Sequence, residues 1–126
     1  LTAETTQLAL KQAGVRPSQL DLVELHDAFT VEELEYVEAM GICCDGEAVH
    51  ILKDGGFDIG GQCAINPSGG LIAMGHPIGP TGIGQIGEVV LQLRGEAGLR
   101  QQPRATTGLA HMVGIGAVCY VHILQR

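Results

Sequence analysis

Four short pieces of this sequence carry groups suited to chemistry. His76 sits between Gly75 and Pro77 in QCAINPSGGLIAMGHPIGPTGIGQIG, a run of flexible and rigid residues. That setting can hold an imidazole at a helix entrance, where it titrates near neutrality and suits general acid/base work. The same ring could instead satisfy loop carbonyls. His26 closes the stretch LDLVELH, and carboxyl ends of strands in open α/β sheets line ligand crevices; a satisfied structural role is the other reading. Asp27 could hold a loop through backbone N–H groups or orient a histidine, and Phe29 is expected to anchor the next helix. Gly114-Ile115-Gly116 offers approachable backbone N–H groups of the kind an oxyanion hole requires, or forms only a tight turn. His111, just before it, could face the same cavity or pair across a hairpin.

These groups need elements to place them. Thr2 to Gly14 reads as an amphipathic helix with Leu8, Ala9 and Ala13 at helical spacing, Glu4 near its start and Gly14 as its stop. Pro17 and Ser18 break the chain, and Leu20 to His26 alternates as a strand with polar residues at its end. Thr30 is expected to cap a helix over Val31 to Met40, with Glu33 at the capping-box position and a solvated acidic face of Glu32, Glu35 and Glu38. Gly41 to Gly61 loses all periodicity and is long for a plain connection. Another helix starts near Thr81 and runs through Val89 and Leu93, and Ala105 to Met112 and Ala117 to Leu124 suit the buried strands of a hairpin. The order helix, strand, helix, long loop, helix, strand, strand predicts an α/β domain over residues 1–126. Its core is a mixed β-sheet with helices packed on both faces; opening on a helix leaves one sheet edge short of a strand.

Composition narrows the function classes. The 126 residues include 14 acidic and seven basic side chains, for a formal net charge of −7. Without a Lys/Arg cluster to neutralise phosphates, nucleic acid and anionic membranes are unlikely partners by charge. No apolar stretch approaches the ~20 residues of a membrane span, and the first residues lack a secretory pattern, so a cytoplasmic protein is expected. Cys43, Cys44, Cys63 and Cys119 lack a framework spacing and read as reduced thiols, and no metal is expected because no C-x2-C pair meets a second pair.

Two motifs dissolve on inspection. Gly82-Ile83-Gly84-Gln85-Ile86-Gly87 fits G-x-G-x-x-G, but no strand directly precedes it and no acidic residue follows Glu96, so nicotinamide binding is discarded. Its glycines are expected to let a helix pack closely on the sheet. Asn66-Pro67-Ser68 is no glycosylation acceptor, because proline stands at its centre.

Taken together, His26-Asp27-Ala28-Phe29, Asn66-Pro67-Ser68-Gly69-Gly70, Gly75-His76-Pro77 and the Gly114/Gly116 turn resemble the carboxyl-terminal domain of thiolases. The nearest branch by these strings is the sterol-carrier-protein-x or lipid-transfer-protein type. The resemblance implies two similar α/β halves with the active site between them and 3-oxoacyl-CoA thiolysis or Claisen condensation as the reaction. Coenzyme A then enters as a thioester substrate, and no resident cofactor is needed. By this analogy His76 activates a nucleophilic thiol and helps hold the thioester oxygen. His26, where many thiolases carry the asparagine of N-E-A-F, positions a water or an oxyanion. Gly114, Asn66 and His111 are the oxyanion or substrate-binding candidates. The family's acyl-carrying cysteine belongs to the amino-terminal half, so that half is an expected partner, and a homo-oligomer such as a dimer, or a hetero-complex, is expected as well. Ala28 and Ala110 stand where family members place the acid/base cysteine. Those two positions open the alternatives of retro-aldol cleavage or a non-catalytic acyl-CoA-binding or assembly subunit, with His111 an imperfect replacement for the thiol.

Overall fold

A computed structural model describes all residues, 1–126. Helix α1 spans Thr2–Ala13, strand β1 Leu22–Glu24, α2 Thr30–Ala39, α3 Ala48–Lys53, β2 Ala64–Ile65, α4 Gly70–Met74, α5 Pro80–Arg94, β3 Thr107–Gly114 and β4 Val118–Gln125. The sheet order is β2-β1-β3-β4. Strand β1 lies parallel to both neighbours, with Val23 opposite Ile65 and Leu109, and β3 and β4 form an antiparallel hairpin from Thr107/Gln125 to Gly114/Val118. This is the expected mixed α/β arrangement.

Period-two alternation divides β1 and β3 between two cores. Val23, Leu25 and Leu109 point toward α1, α2 and α3 and pack with Leu10, Val37, Met40 and Phe57. Leu22 and Ala110 point the other way, onto Val89 and Leu93 of α5. Helices therefore cover both faces. Leu22, Val23, Leu25 and Leu109 are wholly buried, each contributing about 1.5–3 kcal/mol by burial. α5 approaches the sheet closely because β3 has Gly108 beneath it: a Cβ there would stand 2.6 Å from Val89 Cγ1. The glycines of the G-x-G-x-x-G string are not the contact expected of them. Gly84 and Gly87 face open space, and only Gly82 lies near the sheet, where an added Cβ would meet Met112 Cγ at an ordinary 3.7 Å.

Several boundaries differ from the sequence reading for local reasons. The strand expected over Leu20 to His26 pairs only from Leu22 to Glu24, and it is buried on both faces rather than half-exposed. α1 ends at Gly14 in the left-handed conformation, as expected, but it buries Thr2, Thr6 and Leu10 while Leu8 is exposed. α2 starts one residue early: Phe29 is the N-cap, and its backbone N–H donates to Glu32 Oε2 at 2.9 Å, so Glu32 and not Glu33 closes the first turn. Phe29 itself is 70% exposed and anchors nothing. The Gly41 to Gly61 stretch contains α3 and sends Phe57 into the larger core. β2 and α4, absent from the sequence reading, fold from the glycine-rich run, where Asn66, Gly69 and Gly70 adopt positive φ. No helix is long and apolar enough to cross a membrane.

Candidate functional site

The carboxyl end of β1 delivers His26, and the link between α4 and α5 delivers His76. Gly75 turns that link with φ 83°, and Pro80 opens α5 four residues beyond His76. The two imidazoles meet edge to face, with ring centroids 4.6 Å apart and planes at 90°. They wall a cleft of about 260 Å³ completed by Ile78, Met112, Val113, Gly114 and Ile115. Two segments separated by fifty residues thus converge beside the glycine turn of the β3–β4 hairpin.

Hydrogen bonds assign the proton on each ring. Thr81 Oγ1 donates its only hydrogen to Pro77 O at 2.6 Å, so at its 3.0 Å contact with His76 Nδ1 it accepts. Nδ1 of His76 therefore carries the proton, and Nε2 has a free lone pair. His26 Nδ1 lies 3.0 Å from Met112 Sδ; a thioether only accepts, so His26 too is an Nδ1–H tautomer with Nε2 free. Burial lowers the His26 pKa, and a charge on His76 lowers it further. A proton on one ring disfavours a proton on the other. The pair can accept one proton from an incoming acidic group at a free Nε2, and the ring that takes it then presents a single Nε2–H to a developing negative charge.

Two other candidates lie elsewhere. His111 is fully buried and lines no part of the cleft. Its Nδ1 accepts the His26 backbone N–H at 3.4 Å, which leaves Nε2–H to donate to Thr2 Oγ1 at 3.1 Å. Burial, and His26 beside it, hold its pKa down at about 4. With both nitrogens engaged, His111 is a neutral strut behind His26 rather than a substitute for an acid/base thiol. Asn66 is also buried away from the cleft; its Oδ1 accepts the Leu25 N–H at 2.8 Å and helps join β2 to β1. Gly114 does line the cleft. Asp27 takes the first of its two proposed roles: Oδ1 accepts the Leu71 N–H at 2.7 Å at the start of α4.

Sequence reasoning missed Thr81 and Met112, the partners that fix the tautomers of the two rings. A hydroxyl five residues past His76, on the first turn of α5, was the available signal for Thr81. Nothing in the sequence marks Met112. The four cysteines lie outside the cleft lining, and burial pushes the Cys63 thiol up to about 12. No group of three His, Cys, Asp or Glu side chains is arranged to hold a metal ion.

Residues 2–126 match the family described as Thiolase C-terminal domain-like. The chain belongs to that family. It is 44% identical over 125 residues to sterol carrier protein 2 of Oryctolagus cuniculus, an alignment covering 99% of this chain and 23% of that protein. It is 45% identical over 126 residues to an acetyl-CoA acetyltransferase of Methanothermobacter thermautotrophicus, covering 99% of this chain and 33% of the relative. A solved structure titled Ltp2-ChsH2(DUF35) aldolase superposes with a TM-score of 0.85 at 29% identity, covering 98% of this chain and 31% of that one. This thiolase-type domain thus spans about a quarter to a third of the length of these relatives.

Proposed function

We propose that this domain is the carboxyl-terminal catalytic half of a thiolase-like acyl-CoA acyltransferase, acting in 3-oxoacyl-CoA thiolysis or the reverse condensation. The reading rests above all on the His26–His76 pair, two rings with unbonded Nε2 atoms beside a glycine turn. In this reading His76 Nε2 accepts the proton of an attacking thiol, held in aim by the Thr81–Pro77 chain. The backbone near Gly114 faces the thioester oxygen as its charge develops, and His26 joins it as a donor when its Nε2 carries a proton. The nucleophilic cysteine comes from an amino-terminal half, coenzyme A enters as substrate without a resident cofactor, and the isolated domain is inactive. The assembly is a cytoplasmic homo-oligomer or hetero-complex.

The test is an acyl-CoA thiolysis assay on this chain alone and after combination with a thiolase-type amino-terminal half, each with His76→Ala beside it. Activity that appears only on combination and vanishes with His76→Ala supports the reading. Activity in the isolated chain overturns it.

A second reading has its own observation. No cysteine lines the cleft, and the positions matched to the family's acid/base thiol hold Ala28 and Ala110. Retro-aldol cleavage of a hydroxyacyl-CoA asks for a base at a hydroxyl rather than a thiol at carbon, and one of the superposed relatives is titled an aldolase. Running the same combination on a β-hydroxyacyl-CoA separates the reactions; acyl-CoA binding without turnover of either substrate would assign a binding or assembly subunit.

A further inference from the structure

Glu24 lies at the end of the central strand β1 with no exposed surface, two residues before His26. Its carboxylate grips a single residue: Oε1 accepts the Ser68 backbone N–H at 3.0 Å, and Oε2 accepts the Ser68 hydroxyl at 2.7 Å. Ser68 Oγ in turn accepts the Gly70 N–H at 3.1 Å. One turn further on, Asp27 holds the Leu71 N–H. Residues 24–27 therefore present His26 and, by two carboxylates, clamp the start of the segment that runs through α4 to His76. Asn66, two residues before Ser68, is also tied here, accepting the Leu25 N–H and donating its own N–H to Val23 O.

We propose that Glu24 is a positioning residue for the histidine pair: by holding Ser68 it sets where the α4 segment ends, and hence where His76 meets His26. The catalytic part of this inference rests on the thiolase-like reading above; the mechanical part does not. The clamp is proton-sensitive. An ionised carboxylate accepts both Ser68 donors, whereas a protonated one must turn an O–H toward the Ser68 hydroxyl and leave that hydroxyl's hydrogen to find another partner. Burial pushes Glu24 up to about 7, with Glu88 of α5 and Asp27 adding to the rise and Ser68 opposing it. Arg100, beyond α5, is the cation within its field. The clamp is thus complete above neutrality and loosens as pH falls through that value.

The experiment compares wild type, Glu24→Gln and Glu24→Leu in the complete protein. Glutamine stands in for the protonated carboxyl at every pH: its carbonyl accepts the Ser68 N–H, its amide donates to Ser68 Oγ and leaves that hydroxyl's hydrogen without its carboxylate partner, and it has no proton to gain or lose. Hydrogen exchange of residues 66–76, corrected for intrinsic pH dependence, is expected to show wild-type protection lower at pH 6 than at pH 8. Glu24→Gln should show the same protection at both, near the wild-type level of pH 6, and Glu24→Leu still less at both. In turnover, Glu24→Leu is expected to lose about tenfold or more in kcat with KM within about twofold, the effect of misplacing a group without removing a substrate contact, while Glu24→Gln, which keeps the Ser68 N–H bond, loses less. Identical pH dependence of exchange in wild type and Glu24→Gln overturns the proposal. The exchange pattern as expected with kcat unmoved overturns the catalytic reading of the pair and leaves the clamp standing.

Discussion

Gly70→Ala tests whether the α4 segment is seated on Asp27 as described. Gly70 has φ 64°, and a Cβ built there would stand 2.2 Å from Asp27 Oδ2 and 2.6 Å from Cγ. A non-glycine residue in the left-handed region costs about 1 kcal/mol. The added methyl must also displace the Asp27 carboxylate, breaking its 2.7 Å bond to the Leu71 N–H; losing a buried charge-assisted bond costs about 2 kcal/mol. Gly70→Ala should therefore destabilise the chain by about 3 kcal/mol in all. Asp27→Ala alone should cost about 2 kcal/mol, and in that background the methyl has no carboxylate to meet, leaving only the backbone cost of about 1 kcal/mol. Urea unfolding followed by circular dichroism on the four proteins of this cycle gives the coupling directly. The expected interaction energy is about 2 kcal/mol; costs that add to within about 0.5 kcal/mol would refute the seating.

Three further predictions follow from buried groups and one exposed one. Against the unfolded chain, where Glu24 is solvated, burial that raises it to about 7 makes its ionised form costly, so its contribution to global stability falls as pH rises from 4.5 through 7 even though the ionised carboxylate makes both Ser68 bonds. His111, depressed to about 4, does the reverse, its contribution being full above 6.5 and lost as pH falls through 4. Between about pH 4.5 and 6.5 the two slopes oppose each other, so Glu24→Gln, left with the His111 slope alone, should lose about 2 kcal/mol of stability on acidification across that window, and denaturant midpoints with no such acid slope would sink the assignment. Thr81→Val removes the acceptor that fixes the His76 tautomer while leaving the ring in place, so kcat of the assembled enzyme should fall about tenfold or more with unfolding midpoints little changed; unchanged kcat would show that the tautomer is set elsewhere. Phe29→Ser should shift stability by no more than about 0.5 kcal/mol, since the ring is 70% exposed and only the backbone of that residue caps α2; a larger loss would mean the ring is covered in solution.

The sequence told most about residues whose backbone needs are extreme. Gly75-His76-Pro77 announced a turned histidine, Gly14 announced a helix end, and the paired apolar runs around Gly114 announced the hairpin, because each depends on a few adjacent residues. Glu24 was invisible for the opposite reason. In LDLVELH the acidic residue looked like the solvent face of a half-buried strand, but β1 lies between β2 and β3 with helices on both sides, so that face does not exist. The fate of a polar residue on a strand depends on the strand's place in the sheet, which local alternation does not encode. His111 stayed undecided between cavity and hairpin for a like reason: proximity in sequence to the glycine turn said nothing about which face it would take. Phe29, one of only two phenylalanines, invited a core assignment, and nearby Leu34 and Val37 filled that role instead.

The outer side of β4 bears on how this domain behaves outside its fold. Over the eight residues Val118–Gln125, β4 pairs with β3 alone, leaving a row of backbone donors and acceptors on its far side. VCYVHILQ contains no lysine and no proline, the residues that usually guard a rim from other chains. Its Tyr120 is 61% exposed beside it. Such a rim is a ready template for a further strand, from a second copy or from another polypeptide.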